Sequence, residues 1–564
     1  MIRGIGQVTD AQGYLVYTLF EKARSVKLKG QIPAGVPPCT KPVYIYRAGL
    51  VNCAEVEDDA ALALGLYPLS AIPQIFIWGY DPADSGELTF GRKGDDDLPV
   101  EVLRVLGGAR AGVLYGIYEL LERFGGCRWY ASWCERIPRL GQLAVPRNLD
   151  EVQEPAFEMR LPYWYDVLQH HDFAARLRVN SHQWGSMEPQ YGGEQFRFDG
   201  KLGNCHTFDA IVPSSEYGRS HPEYFAFRDG RRWSDVSGRE AQLCLSNPNV
   251  LEIVVSNVLR RIRKDPSARF YGVSQNDNTN YCQCEKCAAI DAEEGSHAGT
   301  VVRFVNAVAE RVEKEYPDVA IETLAYQFSR NPPKKTRLRE NVMPCLCSIE
   351  CDFSQAIPES PARANKSFCE DLHGWRAMTE SVYLWDYTTD FSHYLMPFGN
   401  VLSLQGNIRF FRNNGVKYLY EEGDSRGRHA SFAELKTWLL AKWMWNPELP
   451  MEGLLNDFFS GYYGKGAPFV RAYFDELHRL QREWSENPNR PLGVFANTDL
   501  GSLTDEFLQR AADLFDRAAM ATVDDSVCNY NVRMSSLSVD YLRLQRLCER
   551  TPLLVFDPAW AGGE

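Results

Sequence analysis

The sequence predicts an α/β protein: a (β/α)8 TIM-type barrel, preceded by a small α/β domain and followed by a helical one. Three observations predict it. Short apolar runs alternate with helical patterns over about 290 residues, the size of such a barrel. Several of the runs end in polar tips that carry carboxylates, and in a barrel of this kind the strand tips hold the active site. Beyond residue 430 the pattern becomes wholly helical. The predicted boundaries are 1–152 for the N-terminal α/β domain, 153–449 for the barrel and 450–564 for the helical domain.

In the first domain, Val43–Tyr46 and Gln74–Trp78 are strand-like. Gly112–Phe124 carries a helical apolar stripe and is stopped by Gly125-Gly126. Pro138, Pro146 and Pro155 punctuate a linker. The barrel strands are then expected at Phe157–Trp164 and Arg178–Trp184, with a third near Gly203–His206 or Gln242–Leu245. The others are expected at Phe270–Asp277, Val319–Tyr326, Val342–Cys351, Val382–Asp386 and Val416–Glu422. After the fourth strand, Val301, Val302, Phe304, Val305, Val308 and Val312 recur at helical spacing. Phe432–Trp445 reads as a helix stopped by Asn446-Pro447. Leu503, Phe507, Leu508, Ala511, Leu514 and Phe515 mark another helical face, and Val532–Leu547 a last one.

Composition narrows the function. The net charge is −13 and no basic run is present, which argues against a nucleic-acid partner. No apolar run reaches the roughly 18 residues of a membrane span. The N-terminal residues show no apolar signal segment, so the expectation is a cytoplasmic protein or a trimmed secreted or periplasmic one. The 15 cysteines are odd in number, and Cys345, Cys347 and Cys351 lie on expected buried strands, so they read as reduced thiols. The 13 Trp and 28 Tyr suit a carbohydrate partner, because the C–H faces of sugars stack on aromatic rings. The oligomeric state is not specified by any pattern.

The tips carry the chemistry. Asn180 and His182 follow the second strand, Asn276 and Asp277 the fourth, and Glu350 and Asp352 the sixth. Asp386, Tyr387 and Asp390 follow the seventh, and Glu421 and Glu422 the eighth. Trp164, Trp184, Tyr326 and Trp385 lie near these tips. A lone acid at a strand end is more often a cap for the next helix. Acids on four tips suit glycoside hydrolysis, which needs a proton donor for the leaving oxygen and a group that stabilises the sugar cation. Cys282-x-Cys284-x-x-Cys287 is a second sharp feature. Three thiolates at this spacing could hold a structural zinc if His297 or another Cys supplies a fourth ligand, and a tight loop of buried thiols is the plainer alternative. No phosphate-binding Gly-rich loop, dinucleotide fingerprint or serine nucleophile elbow is present, so no other cofactor is expected.

The run Tyr271-Gly-Val-Ser-Gln-Asn-Asp-Asn278, continuing through Cys287, resembles glycoside hydrolase family 163. So do His221–Phe225 with Leu243–Pro248, Trp385–Tyr394, and Leu440–Pro447 leading to Gly461–Gly464. Gly112–Glu122 with Cys127–Tyr130 is similar to the α/β domain that precedes the barrel in hexosaminidases and α-glucuronidases. The resemblance covers about residues 85–480. It implies a retaining endo-β-N-acetylglucosaminidase acting on the N-glycan core of glycoproteins. The 2-acetamido oxygen of the substrate would be its nucleophile. By the same resemblance Asp277 takes one of the two catalytic roles, Asn276 helps hold the acetamide, and Glu350 is the acid/base. Asp386 and Glu421 follow as hydroxyl ligands, or as the acid if Glu350 is too remote, and Tyr387, Glu422, Trp164, Asn180, His182, Trp184, Tyr326 and Trp385 complete the expected substrate contacts. Two alternatives stand beside it. One is an α-glucuronidase-like exo-hydrolase with Arg160 or Lys201 holding a uronate. The other is a non-catalytic carbohydrate-binding barrel.

Overall fold

The structure is a computed structural model that describes residues 75–77, 86–93, 99–107 and 111–550, apart from 141–143, 147–148, 183–184, 186, 200–204, 237–239 and 499. The expected strand Val43–Tyr46 lies outside the described residues, as do Trp184 and Lys201. The chain divides into two compact units. One comprises residues 1–153, 169–180 and 187–195, the other 154–168, 181–186 and 196–564.

In the first unit, β1 (Ile75–Ile77), β2 (Gly86–Lys93) and β3 (Pro99–Gly107) form an antiparallel sheet in sequence order. Helix α1 (Gly112–Arg123) follows, then the hairpin of β4 (Arg128–Ala131) and β5 (Cys134–Arg136). The stripe read from the sequence is the buried face of α1, with Val113, Leu120 and Leu121 inside. Tyr118 meets Trp129 edge-on at 5.5 Å. The expected second barrel strand does not form. Arg178 sits in the left-handed region at φ 62° and pairs with Glu119 and Glu122 of α1 at 2.6 and 2.8 Å. A buried guanidinium shared by two carboxylates holds this segment as a turn, against the extended backbone that its apolar pattern suggests.

The second unit is built on a six-stranded parallel sheet. Its strands are β6 (Met159–Tyr163), β9 (Phe270–Gly272), β10 (Ala320–Ala325), β11 (Val342–Cys347), β12 (Tyr383–Tyr387) and β13 (Tyr418–Glu422). A small hairpin, β7 (Phe227–Arg228) and β8 (Arg231–Arg232), lies between the first two in sequence. The sheet order is β6-β13-β12-β11-β10-β9. The last strand therefore pairs with the first, as in a closing barrel. Phe270 on the edge strand β9 lies 6.0 Å from Tyr418 on β13. In a flat sheet those strands would stand four spacings, about 19 Å, apart. The sheet is thus curled into a half-barrel. Of the eight strands expected, six form among the described residues. Residues 203–204 of one expected third segment lie outside the described residues, and 242–245 do not take the third position. Phe198 makes a single parallel bridge to Phe270 there, with the Asp199 N–H donating to the Phe270 carbonyl at 3.0 Å.

Parallel strands are covered on both faces, which explains their unbroken apolar runs. All six residues of β11 are buried. The concave face is aromatic at its base, where Phe196, Phe198, Phe270, Tyr383 and Tyr418 meet ring to ring. Helices cover the convex face. Among them α2 (Pro248–Lys264) is capped by Asn247, and α4 (Ala298–Glu313) buries the predicted Val301, Val302, Val305, Val308 and Val312. The short α3 (Glu285–Glu294) precedes α4. Helix α5 (Arg363–Arg376) follows β11, and α6 (Val401–Asn413) follows β12. Helix α7 (Ala433–Trp445) is buried along nearly its whole length and ends at Asn446, as its sequence predicts.

The helical region α8 (Met451–Tyr463), α9 (Ala467–Ser485), α10 (Asp505–Ala521) and α11 (Ser526–Arg550) belongs to the same compact unit as the half-barrel. Helix α10 starts where Thr504 accepts the Phe507 N–H, and it buries Phe507, Leu508, Ala511 and Phe515. Two buried side chains of α9 reach the chain entering α6. Gln481 Oε1 accepts the Gly399 N–H at 2.5 Å, and His478 Nε2 accepts the Val401 N–H at 3.1 Å. Among the described residues no helix is long and apolar enough to cross a membrane.

Candidate active site

Strand alternation decides which tip residues reach the concave face. On β12, Tyr383, Trp385 and Tyr387 point inward, and on β13, Tyr418, Tyr420 and Glu422 do so. The ring contacts follow this pattern: Trp385 lies 4.7 Å from Tyr420 and 6.2 Å from Tyr387, and Tyr163 lies 5.0 Å from Tyr420. Glu422 stands at the upper edge of this aromatic wall. Its Oε2 accepts the Trp385 indole N–H at 2.7 Å. Burial pushes its carboxyl up to about 7, and the charge of Asp277 adds to the rise, while Trp385 and Arg426 oppose it. A carboxyl poised near neutrality can give and take a proton at ordinary pH.

Asp277 comes from the tip beyond β9 and is exposed. Its Oδ1 accepts the Tyr326 hydroxyl at 3.1 Å. Burial raises the Tyr326 phenol well above its usual range, and Asp277 raises it further, so Tyr326 keeps its proton and acts as donor. Gln327 Nε2 donates to the Tyr326 oxygen at 2.9 Å. The His206 ring lies edge-on to Tyr326 at 5.9 Å, with Nδ1 2.9 Å from the Gln275 carbonyl. Asp277, Tyr326, Trp385, Tyr387 and Glu422 therefore share one mouth, at the C-terminal ends of the strands.

Other expected residues lie elsewhere. Asn276 does not face a ligand: its Nδ2 donates to the Ala241 carbonyl at 2.8 Å and its Oδ1 accepts the Asp209 N–H at 3.2 Å. With both ends of its amide committed, it holds two loops together and is not available to an acetamide. Glu350 accepts from Arg330 at 2.8 Å, and the same guanidinium binds Asp371 and Ser367. It is an ion-pair partner near the rim.

Asp386 and Glu421 point to the convex, helix-covered face. They are directly paired in register, and both are fully buried. Asp386 accepts from Ser348 and, at 3.5 Å, from Asn407 on α6. Burial pushes Asp386 up to about 6, and burial together with Asp386 pushes Glu421 well above the carboxylate range. They are a buried carboxyl pair behind the sheet. Trp164 also lies on that side, with Lys436 Nζ of α7 5.7 Å from its ring centre. His182 Nε2 meets the Leu168 carbonyl at 3.1 Å. Asn180 belongs to the other compact unit and donates to Gln195 Oε1 at 3.2 Å. Asp352 is wholly buried, accepting from Ser354, Ser360 and the Leu492 N–H.

Sequence reasoning missed Glu322, Tyr163, Cys205 and Arg426. Glu322 is fully buried on β10, and burial drives its carboxyl well above the usual range. Its signal was an acid in the apolar run Ala-Ile-Glu-Thr-Leu-Ala. Tyr163, Cys205 and Arg426 feel the charge of Glu422 or modulate it, so they ring the same mouth. No local motif marks them.

The profile of a family described as a domain of unknown function, DUF4838, matches residues 129–475. No curated protein matches the sequence. Among solved structures, a family-89 glycoside hydrolase from Clostridium perfringens in complex with PUGNAc is similar at 9% identity and a TM-score of 0.42, covering 82% of this chain and 59% of that one. A variant of the same organism's family-89 enzyme, in complex with its substrate GlcNAc-alpha-1,4-galactose, is similar at 10% identity and a TM-score of 0.46. That match covers 82% of this chain and 58% of that one. A GH138 enzyme targeting pectin rhamnogalacturonan II gives 10% identity and a TM-score of 0.36, over 78% of this chain and 61% of that one. The chain thus spans about three-fifths of the length of these structures.

Proposed function

The chain belongs to the DUF4838 family, and we propose that it is a glycoside hydrolase whose proton donor is Glu422 and whose partner carboxylate is Asp277. The observation that carries this reading is Glu422 itself. It is a carboxyl at the top of an aromatic wall, held near neutrality by burial and bonded by the Trp385 N–H. A glycosidase acid needs that environment, because it must be protonated when the sugar–oxygen bond breaks.

The finer reading is a retaining, substrate-assisted endo-β-N-acetylglucosaminidase acting on the N-glycan core. Asp277, backed by the Tyr326 hydroxyl, receives the acetamide N–H and turns its oxygen toward the anomeric carbon. Glu422 protonates the departing oxygen as that acetamide oxygen bonds to the carbon. A water then attacks the same carbon, gives its proton to Glu422 and frees the acetamide. Trp385 and Tyr387 supply apolar faces for the sugar rings. The acid role read for Glu350 passes to Glu422, because Arg330 already engages Glu350.

The test is digestion of a glycoprotein bearing complex N-glycans, read by mass spectrometry, with Glu422→Gln and Asp277→Asn beside the parent chain. The expected product is free glycan with one N-acetylglucosamine left on each asparagine. Each variant should lose about 10²–10⁴-fold in rate. A parent chain that leaves the glycoprotein intact but cleaves aryl glycosides of N-acetylglucosamine or glucuronic acid keeps the hydrolase reading and removes the endo one. No cleavage of any of these, with glycan binding retained, would favour a carbohydrate-binding barrel.

A further inference from the structure

We propose that Cys244, Cys282, Cys284 and Cys287 bind one structural zinc ion, and that this site fixes the loop that carries Asp277. The four sulfur atoms lie within 4.8 Å of one another. Cys244 Sγ and Cys284 Sγ are 3.7 Å apart. A tetrahedron with Zn–S bonds of about 2.3 Å has sulfur–sulfur edges of about 3.8 Å, so the thiols already outline one. None of the four is in a disulfide. An iron–sulfur cubane would hold its cysteines further apart, because iron and sulfide atoms stand between them.

The sequence spacing Cys-x-Cys-x-x-Cys offered three ligands and left the fourth open. Chain folding supplies it from 38 residues earlier, as Cys244 just before the Asn247 cap of α2. His297 is not the fourth ligand: its Nδ1 is 2.8 Å from Asp291, and its ring lies against Tyr281. The surroundings suit thiolates. The Phe227 N–H donates to Cys282 Sγ at 3.3 Å, and Arg232 Nη1 lies 3.9 Å from the same sulfur. Four thiolates around a divalent ion leave two negative charges, which such donors offset. The plainer reading, a small apolar core, is weak here. Besides the cysteines, that cluster holds only Ala226 and Phe227 among the described residues.

The placement gives the metal a task. Cys244 lies two residues after Gln242, whose Nε2 donates to the carbonyls of Asn276 and Asn278 on either side of Asp277. Cys282 lies five residues after Asp277, Cys284 is the N-cap residue of α3, and Cys287 lies in its first turn. One ion would therefore staple the β7–β8 hairpin and the starts of α2 and α3 around the Asp277 tip. Binding turns four thiols into thiolates and releases their protons to solvent. The metal site stands on the sulfur geometry alone; its effect on catalysis rests on Asp277 being a catalytic residue.

The full chain, purified with reductant and without chelator from zinc-supplemented cells, should hold about one zinc per chain by elemental analysis. Exchange for cobalt(II) should give the intense visible bands of a tetrahedral tetrathiolate. Cys244→Ser should lower bound zinc at least about fivefold, while Asp277→Asn should leave it unchanged. If Cys244→Ser does not fold, titration of the parent chain with a mercurial should release the zinc as four thiols react. Less than about 0.1 zinc per chain with no cobalt tetrathiolate spectrum, or iron in place of zinc, would overturn the assignment. Zinc removal that leaves kcat unchanged would overturn the positioning role; a fall in kcat with KM nearly constant, restored by zinc, would support it.

Discussion

At the scale of the residue, the doublet Glu421-Glu422 shows how much one position matters. Both are acids at the end of β13, yet one faces the helices and the other the aromatic mouth. The side-chain period of a strand is two, so neighbours cannot share a face. Glu422 is charged more easily because the Trp385 indole N–H donates to it. Trp385→Phe removes that donor, so the carboxyl should rise further and the alkaline limb of the pH–rate profile should move upward from about 7. The shift expected is about half a unit to one unit, read from kcat/KM against pH on an aryl glycoside. An unmoved limb would mean that another group sets it. The same raised carboxyl bears on folding. Between the ordinary carboxylate range and about 7 the folded state holds the extra proton, so this group's contribution to stability falls as pH rises through that window.

At the scale of the element, β12 and β13 place Asp386 and Glu421 side by side on their outer face. Two buried carboxyls side by side share a proton more readily than they carry two charges. Glu421→Gln keeps a donor in the same volume and should change unfolding free energy by less than about 1 kcal/mol at pH 7. Glu421→Ala leaves a cavity beside Asp386, which keeps Ser348 and Asn407 as donors, and should cost about 2–4 kcal/mol. Urea unfolding of the two variants checks this, and equal losses would show that the pair is not shared. The next residue, Gly423, has a separate constraint. A Cβ there would come within 2.0 Å of the Trp164 ring, so only glycine lets the chain leave β13 so close to that ring.

At the scale of the whole molecule, the half-barrel and the C-terminal helices form one compact unit. The buried Gln481 and His478 of α9 supply acceptors for the backbone at Gly399 and Val401, and Asp352 beyond β11 takes the Leu492 N–H. A buried backbone N–H without a partner costs free energy, so Gly399 and Val401 need these acceptors where α6 begins, and Leu492 needs Asp352. A chain ending at residue 449 should therefore lose fixed tertiary packing, seen as a flattened near-ultraviolet circular dichroism spectrum. The parent chain should unfold residues 196–550 in a single transition. A well-folded truncated chain would show that the helical region is dispensable.

Sequence reading captured what depends on local period. The strands at Phe270, Val342 and Val416 are short apolar runs, the helix at Val301 repeats with a period of 3.6, and the helix at Phe432 is a longer apolar run stopped by Asn446-Pro447, and all of these elements form. Asp277, Tyr326, Trp385, Tyr387 and Glu422 were legible as tip residues for the same reason. Three things depended on contacts distant in sequence. The turn at Arg178 depends on two glutamates of α1. The commitment of Asn276 depends on Ala241 and Asp209. The fourth sulfur of the cysteine cluster comes from Cys244. By itself the sequence determined an α/β chain with acids and aromatics at its strand ends, because hydrophobic period is written residue by residue. Which acid is buried near neutrality, and which is locked behind the sheet, was decided only by tertiary structure, because desolvation and hydrogen bonding act through space.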